Sequence, residues 1–320
     1  MDIIQLELHL IINRNAASGN AAKSADQVLS ALNEKNMPYK TYTTDYHGHA
    51  IDIAQTLLET TLLPWTKTPP QLFPLLVVLG GDGTLHEVVN ALGNRVDIPI
   101  AYIPCGSGND FARGVSLSRN PLIALDHLLE TLEPQPYHTL HYVENIQEEE
   151  GYATNNVGIG IDAAIVARSS ASASKQTLNK VKLGSLTYLY AAIQVLTKQK
   201  GFPLMVEVNG QSIGFDNAFL CTTTKHPFFG GGIAIAPEAD AKSKTIDLVI
   251  VERIHLLKLI RLVIQLLQKK HMASPHVHHF KSQQVRIVST TSQFGQADGE
   301  ELGSRPFDIH FTTVQRLFWL

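Results

Sequence analysis

A chain of 320 residues, 44% hydrophobic and 17% charged, carries enough apolar material for packed cores, and its length favours two domains over one. A formal charge of −3 removes the basic footprint of a general nucleic-acid binder, and two cysteines, Cys105 and Cys221, can build neither a disulfide framework nor a cysteine-rich zinc site. No run of about 18 uncharged apolar residues offers a membrane span, and the acidic start, Met1-Asp-Ile-Ile-Gln-Leu-Glu-Leu, lacks the positive charge of a signal peptide, so a cytoplasmic enzyme is expected.

Residues 6–13 predict a strand, and 21–35 a helix with Ala25, Val28, Leu29 and Leu32 on one face. A second strand over 39–44 and a second helix over 50–61, carrying Ile53, Ala54 and Leu57, follow. Pro64, Pro69 and Pro70 make 62–73 a loop. A buried-type strand over 74–79 then runs through Gly80-Gly81-Asp82-Gly83-Thr84 into a helix with Leu85, Val88, Val89 and Leu92 on one face. A strand at 98–103, a helix at 121–132 and the boundary Pro134-Gln-Pro136 complete an alternation that calls for a parallel sheet covered on both faces.

Beyond Pro136 the pattern becomes antiparallel. Residues 137–145 and 152–157 flank an acidic turn, and 204–208 and 212–223 flank Asn209-Gly210, a strong hairpin signal. Further strands are expected at 233–236, 245–252, 277–289 and 307–312, with helices near 185–196 and 255–268. The predicted fold is an α/β nucleotide-binding domain over 1–136, completed by 306–320, plus a mainly antiparallel β domain over 137–305.

Three glycine-containing loops follow strands on the same predicted sheet edge: Asn15-Ala-Ala-Ser-Gly19, Gly80 to Thr84, and Pro104-Cys-Gly-Ser-Gly-Asn-Asp110. Bare amides at the positive end of a helix bind phosphate. Asp82 is unfavourable beside phosphate unless a cation lies between them, which points to a nucleotide held with Mg²⁺. No Gly-Lys-Ser/Thr exists, so a P-loop is excluded. Gly158-Ile-Gly160-Ile-Asp-Ala163 matches the dinucleotide fingerprint formally, but no acid occurs from Ala163 through Val206 to bind a ribose.

Gly80-Gly-Asp-Gly-Thr84 with Glu87, Gly106-Ser-Gly-Asn-Asp110, Asn156-Val-Gly-Ile-Gly160, Gly230-Gly-Gly-Ile-Ala-Ile-Ala-Pro237 and Asp298-Gly-Glu300 together resemble the diacylglycerol kinase catalytic family, and more narrowly its soluble bacterial lipid kinases related to sphingosine kinases. The resemblance implies an active site in the cleft between the two domains. It implies ATP contacts at Asn15, Gly19, Thr44, Gly81, Asp82, Gly83, Thr84, Glu87 and Ser107. Glu300 would accept the proton of a lipid hydroxyl, Asp298 would support Mg²⁺ or the water network, and Asp82 would be the carboxylate through which Mg²⁺ meets the phosphates. A structural Mg²⁺ of the family would fall on Asp240, Ser243 and Thr245. Ser243 and Lys244 stand where an acid and a glycine are expected, and a hydroxyl is the poorer ligand for a hard cation. Asn20 stands where relatives often carry lysine, with Lys23 one turn on.

The expected activity is ATP- and Mg²⁺-dependent phosphorylation of diacylglycerol or a related lipid alcohol, at the cytoplasmic face of a membrane with which the protein associates peripherally. An NAD kinase-like activity and a non-catalytic nucleotide or lipid sensor remain as alternatives. The acid-free stretch with Arg168, Lys175, Lys180, Lys182, Lys198 and Lys200 reads as a surface for anionic phospholipid or as solvated helix faces. The apolar 255–271 segment reads as a helix against a sheet or one that touches lipid. Spare edge strands in the β half allow a homodimer.

Overall fold

The computed structural model describes residues 4–16, 20–161, 163–164 and 199–320. Three apolar strands, β1 (Gln5–Ile12), β3 (Leu72–Gly80) and β4 (Ile100–Pro104), lie side by side in parallel, with Leu8 opposite Leu75 and Val78 opposite Tyr102. The more polar β2 (Tyr39–Thr43) pairs with β1 at the edge. Because side chains alternate across a strand, Leu75, Val77 and Leu79 join one core with α1 (Asn20–Glu34) and α5 (Pro121–Glu130). Leu76 and Val78 join another with α2 (His49–Thr60) and α3 (Asp82–Leu92). A one-turn helix that sequence periodicity did not suggest, α4 (Asp110–Gly114), follows β4.

The second half consists of β5 (Gln135–Glu144), β6 (Glu149–Ala153), β7 (Asn156–Gly160), β8 (Phe202–Val208), β9 (Gln211–Thr224), the two-residue β10 (Phe228–Phe229) and β11 (Ile233–Ala234), β12 (Ile246–Glu252), α6 (Leu256–Leu267), β13 (Val277–Ser282), β14 (Val285–Ala297) and β15 (Glu300–Trp319). Its strand pairs are antiparallel. Asn209 (φ 52°) and Gly210 (φ 75°) both take the positive φ that a tight β8–β9 hairpin needs.

Three expectations need correction. The run at 277–289 is two strands, interrupted where the Ser282 hydroxyl donates to the Gln284 carbonyl (2.7 Å). The run at 152–157 is split between β6 and β7, because the intervening amides turn towards Asp298. The short strand expected at 307–312 is part of a 20-residue one. β15 pairs antiparallel with β14 and β5, and its last residues pair in parallel with β4, Phe318 opposite Ile100 and Trp319 opposite Ala101. One continuous sheet therefore runs β13-β12-β9-β7-β14-β15-β4-β3-β1-β2. The helix expected near 185–196, and the basic stretch except Lys200, lie outside the described residues.

Candidate active site

At the carboxyl ends of β3 and β4 two glycine loops touch through their backbones. A Cβ on Gly106 would stand 2.6 Å from the Cα of Gly81, so no larger residue fits there. Asn13, just past β1, donates to Thr84 Oγ1 (3.0 Å), tying a third strand end to the same place. Asn109, at φ 53°, holds its own loop by accepting from Gly106 N and donating to Gly106 O, both at 2.9 Å.

Asp82 opens α3 and faces the start of α4. Its two oxygens accept the amides of Asp110 (3.1 Å) and Phe111 (3.2 Å). Burial, reinforced by the charges of Asp110 and Asp298, raises its pKa to about 6 against the lowering pull of those amides. Asp110 in turn accepts from Gly231 N (2.7 Å), within a Gly230-Gly231-Gly232 loop whose φ values are all positive. Acid and glycine thus lock one half of the chain to the other.

Asp298 lies in the β14–β15 turn at φ 53°. Its Oδ2 accepts from Thr154 N (2.7 Å), Thr154 Oγ1 (3.2 Å) and His86 Nδ1 (3.0 Å), and its Oδ1 from Asn155 N (2.8 Å) and Asn156 N (3.0 Å). Burial opposes protonation of His86, but the bond to Asp298 and the nearby negative charges of Asp298, Glu300 and Glu87 raise its pKa above the ordinary value. Glu300, the first residue of β15, reaches the glycine loop after β3: its Oε1 would be 3.2 Å from a Cβ on Gly83. Its Oε2 lies 3.5 Å from His47 Nε2, and the other ring nitrogen of His47 lies 3.1 Å from Glu87.

Asp82, Gly108, Asp110, Asn155 and Asp298 line one end of a cavity of about 530 Å³. Ile161, Phe219, Leu220, Leu259, Leu262 and Val277 supply apolar wall from β9, α6, β13 and the segment after β7. The structure therefore gathers Gly81, Asp82, Gly83, Asp298 and Glu300 around one place. Glu87 is near it with a different task, since its carboxylate accepts Gly48 N (2.9 Å) and Ala50 N (3.2 Å), amides left free at the start of α2. Thr84 is buried under the loop, and the Thr44 hydroxyl faces the Ile12 carbonyl (3.5 Å). Asn15 and Ser107 are exposed near their strand ends, and Gly19 lies outside the described residues. Asp240, Ser243 and Thr245 sit in the loop before β12 and not among the cavity-lining residues. No three His, Cys, Asp or Glu side chains converge on a metal position among the described residues.

His47, His86, Asp110 and Asn155 carry site contacts that the residue pattern did not assign. His86 had one available signal, because it follows Asp82 by four residues and so shares its helix face. His47 had none, being placed by the turn into α2.

Comparison with known proteins identifies the family and the fold. The diacylglycerol kinase catalytic domain model matches residues 7–137, and the model for the YegS C-terminal NAD kinase beta sandwich-like domain matches residues 155–315. YtlR of Bacillus subtilis strain 168 is 29% identical over 301 residues, covering 93% of this chain and 94% of the relative. A diacylglycerol kinase of the same organism is 25% identical, covering 93% and 90%. Among solved structures, a diacylglycerol kinase from Bacillus anthracis strain Sterne superimposes with a TM-score of 0.71 at 20% identity, covering 98% and 96%. Yeast NADH kinase superimposes with a TM-score of 0.51 at 12% identity, covering 98% and 83%; both share the fold. With two family models in this order along most of its length, the chain belongs to the diacylglycerol kinase-like family of lipid kinases.

Proposed function

We propose that this kinase transfers the γ-phosphoryl group of ATP to the hydroxyl of diacylglycerol or a closely related lipid alcohol. The cavity carries this reading: acids and glycine amides stand at one end, and a wall of aliphatic and aromatic side chains extends from them. A nucleotide sugar needs polar partners along its length, whereas this wall offers an acyl chain burial at about 25 cal/mol per Å².

The glycine loops after β3 and β4 supply backbone amides and close approach for the polyphosphate, next to Thr84 and Ser107. Asp82 fits a hard cation, because each oxygen accepts a single amide and keeps a free lone pair, and one carboxylate plus phosphate oxygens is the common way to hold Mg²⁺. Bound there, Mg²⁺ would neutralise charge on the phosphoryl oxygens. Glu300 takes the proton of the attacking hydroxyl, being the site carboxylate with solvent access and no amide donors among the described contacts. Asp298 acts by position, fixing the turn from which Glu300 projects.

Such a substrate resides in a bilayer, so the reading includes peripheral membrane contact. No described helix is long and apolar enough to cross a membrane. The test is transfer of label from γ-³²P-ATP with Mg²⁺ to diacylglycerol in mixed micelles, with NAD offered in parallel. Labelled phosphatidic acid from wild type and its loss in Glu300→Gln are expected. Label in a nucleotide product, with none in lipid, would replace this reading by the NAD kinase-like one.

A further inference from the structure

The loop that the family resemblance marks for a structural Mg²⁺ already holds a cation, and it belongs to the protein. Lys225, the residue after β9, is buried and donates its backbone N–H to Asn155 O (3.2 Å). Its ammonium reaches the loop before β12, where Nζ donates to the carbonyl oxygens of Ser243 (2.7 Å) and Thr245. The side-chain oxygens of this loop are engaged locally. Ser243 Oγ and Thr245 Oγ1 lie 2.8 Å apart, Thr245 N donates to Ser243 Oγ (3.1 Å), and Asp240 Oδ1 accepts Lys242 N (2.8 Å). Burial lowers the pKa of Lys225 to about 8, partly offset by the charges of Asp247 and Asp240.

Buried carbonyl oxygens that point together need a donor or a cation, and here two ways of supplying one are a metal ion with a carboxylate to neutralise it and an ammonium group. At the position where a carboxylate would serve the first solution stands Ser243, followed by Lys244. A divalent ion on these oxygens would also face Lys225 at close range. The residues present do not fit the metal. We propose that the Lys225 ammonium takes the place of a structural divalent cation, so that this loop is held without metal. The loop joins the glycine-rich cavity edge to β12, and Ala241, N-terminal to Ser243, is buried in the core cluster that also holds Tyr137, its carbonyl accepting His138 N (2.7 Å). A metal-free pin here keeps the cavity edge in register whatever the divalent supply, independently of which alcohol is phosphorylated.

Thermal unfolding of the full chain without nucleotide tests this. Wild type should unfold at the same temperature in EDTA, millimolar Mg²⁺ or millimolar Ca²⁺. Lys225→Met should lower Tm by about 5 °C or more, with neither ion restoring it, because two buried carbonyls lose their donor. The double variant Lys225→Ser, Ser243→Asp should acquire a Tm that rises with Mg²⁺ or Ca²⁺, and absence of that gain would refute competition for the same oxygens. Two other results would overturn the proposal: an ion-dependent rise in wild type that Asp240→Asn removes, or a Lys225→Met protein as stable as wild type. The wild-type titration, read together with that of Asp240→Asn, decides the matter even where Lys225→Met does not fold.

Discussion

Asp298 and Glu300 stand two residues apart in one turn, yet their surroundings assign them opposite duties. Five donors converge on Asp298, and an amide at that position would present its own N–H groups to some of them. Asp298→Asn should therefore lose stability on the order of 2–4 kcal/mol by urea unfolding. Glu300→Gln should unfold like wild type while lipid phosphorylation falls by roughly 10²–10⁴-fold. Equal stability of the two variants would contradict this division. Both acids were legible in the Asp-Gly-Glu motif, but which one braces and which one reacts was not, because the amides of Thr154, Asn155 and Asn156 arrive from a distant strand end. His226 gives the pH counterpart. Buried, it donates from Nε2 to Asn155 Oδ1 (2.7 Å) and accepts Phe228 N on Nδ1 (3.2 Å), so it is held neutral, and burial lowers its pKa to about 4. The folded chain resists a proton that the unfolded chain accepts near pH 6.5. Stability is thus fully present above that pH and falls by about 1.4 kcal/mol per pH unit as pH drops towards 4. In His226→Gln, the slope of unfolding free energy between pH 6.5 and 5 should shrink by up to one proton; an unchanged slope would place the titration elsewhere.

Among the elements, α6 shows what periodicity can and cannot say. Its sequence, Leu-Leu-Lys-Leu-Ile-Arg-Leu-Val-Ile-Gln-Leu-Leu, allowed either a core helix or a lipid-facing one. In the structure one of its faces is covered and the other is exposed. Leu259, Leu262, Val263 and Leu266 line the cavity, while Leu257 (82% exposed), Ile260, Ile264 and Leu267 (70% exposed) form a stripe on the opposite side. A helix apolar on both faces is under-buried in water. Lys258, Arg261, Lys269 and Lys270 are exposed beside the stripe, and no acid occurs from Arg253 through Ala297. Apolar surface flanked by unopposed cations suits an anionic bilayer interface. If α6 provides the membrane contact of the proposed function, Leu257→Glu with Leu267→Glu should weaken sedimentation with phosphatidylglycerol vesicles by about tenfold or more, since each buried leucine contributes roughly 1.5–3 kcal/mol. Phosphorylation of a short-chain diacylglycerol dispersed in solution should persist. Undiminished vesicle binding would remove α6 from the interface. One dimension could not separate these faces, because the helix position relative to β12 and β13 decides which leucines are covered.

At the scale of the molecule, the change from alternating to antiparallel grammar at Pro136 made two halves legible, but the way they are joined was not. Gly303 and Pro306 interrupt the pattern ahead of Phe307, and a 20-residue strand exists only because β14, β5 and β4 successively pair with it. Phe307, Ile309 and Phe311 enter the core of the β half, whereas Phe318 and Trp319 enter the cores on either side of the parallel sheet. Between them, Arg316 is buried and donates to the carbonyl of Gly93 (2.5 Å), the residue that ends α3, and its guanidinium lies 5.4 Å from the Tyr152 ring centre. Pulling either half apart would break one strand's hydrogen bonds and strand a buried cation, so the halves should unfold together. The chain contains an internal reporter for this, because its two tryptophans, Trp65 and Trp319, pack against each other and Phe73 within the parallel-sheet half. Tryptophan fluorescence follows that half alone, while far-ultraviolet circular dichroism follows both. In a urea titration the two signals should give superimposable transitions in wild type. Arg316→Met should shift both midpoints to lower urea together, by an amount equivalent to about 2–4 kcal/mol. A fluorescence transition that separates from the dichroism would mean that β15 does not bind the two halves into one cooperative unit.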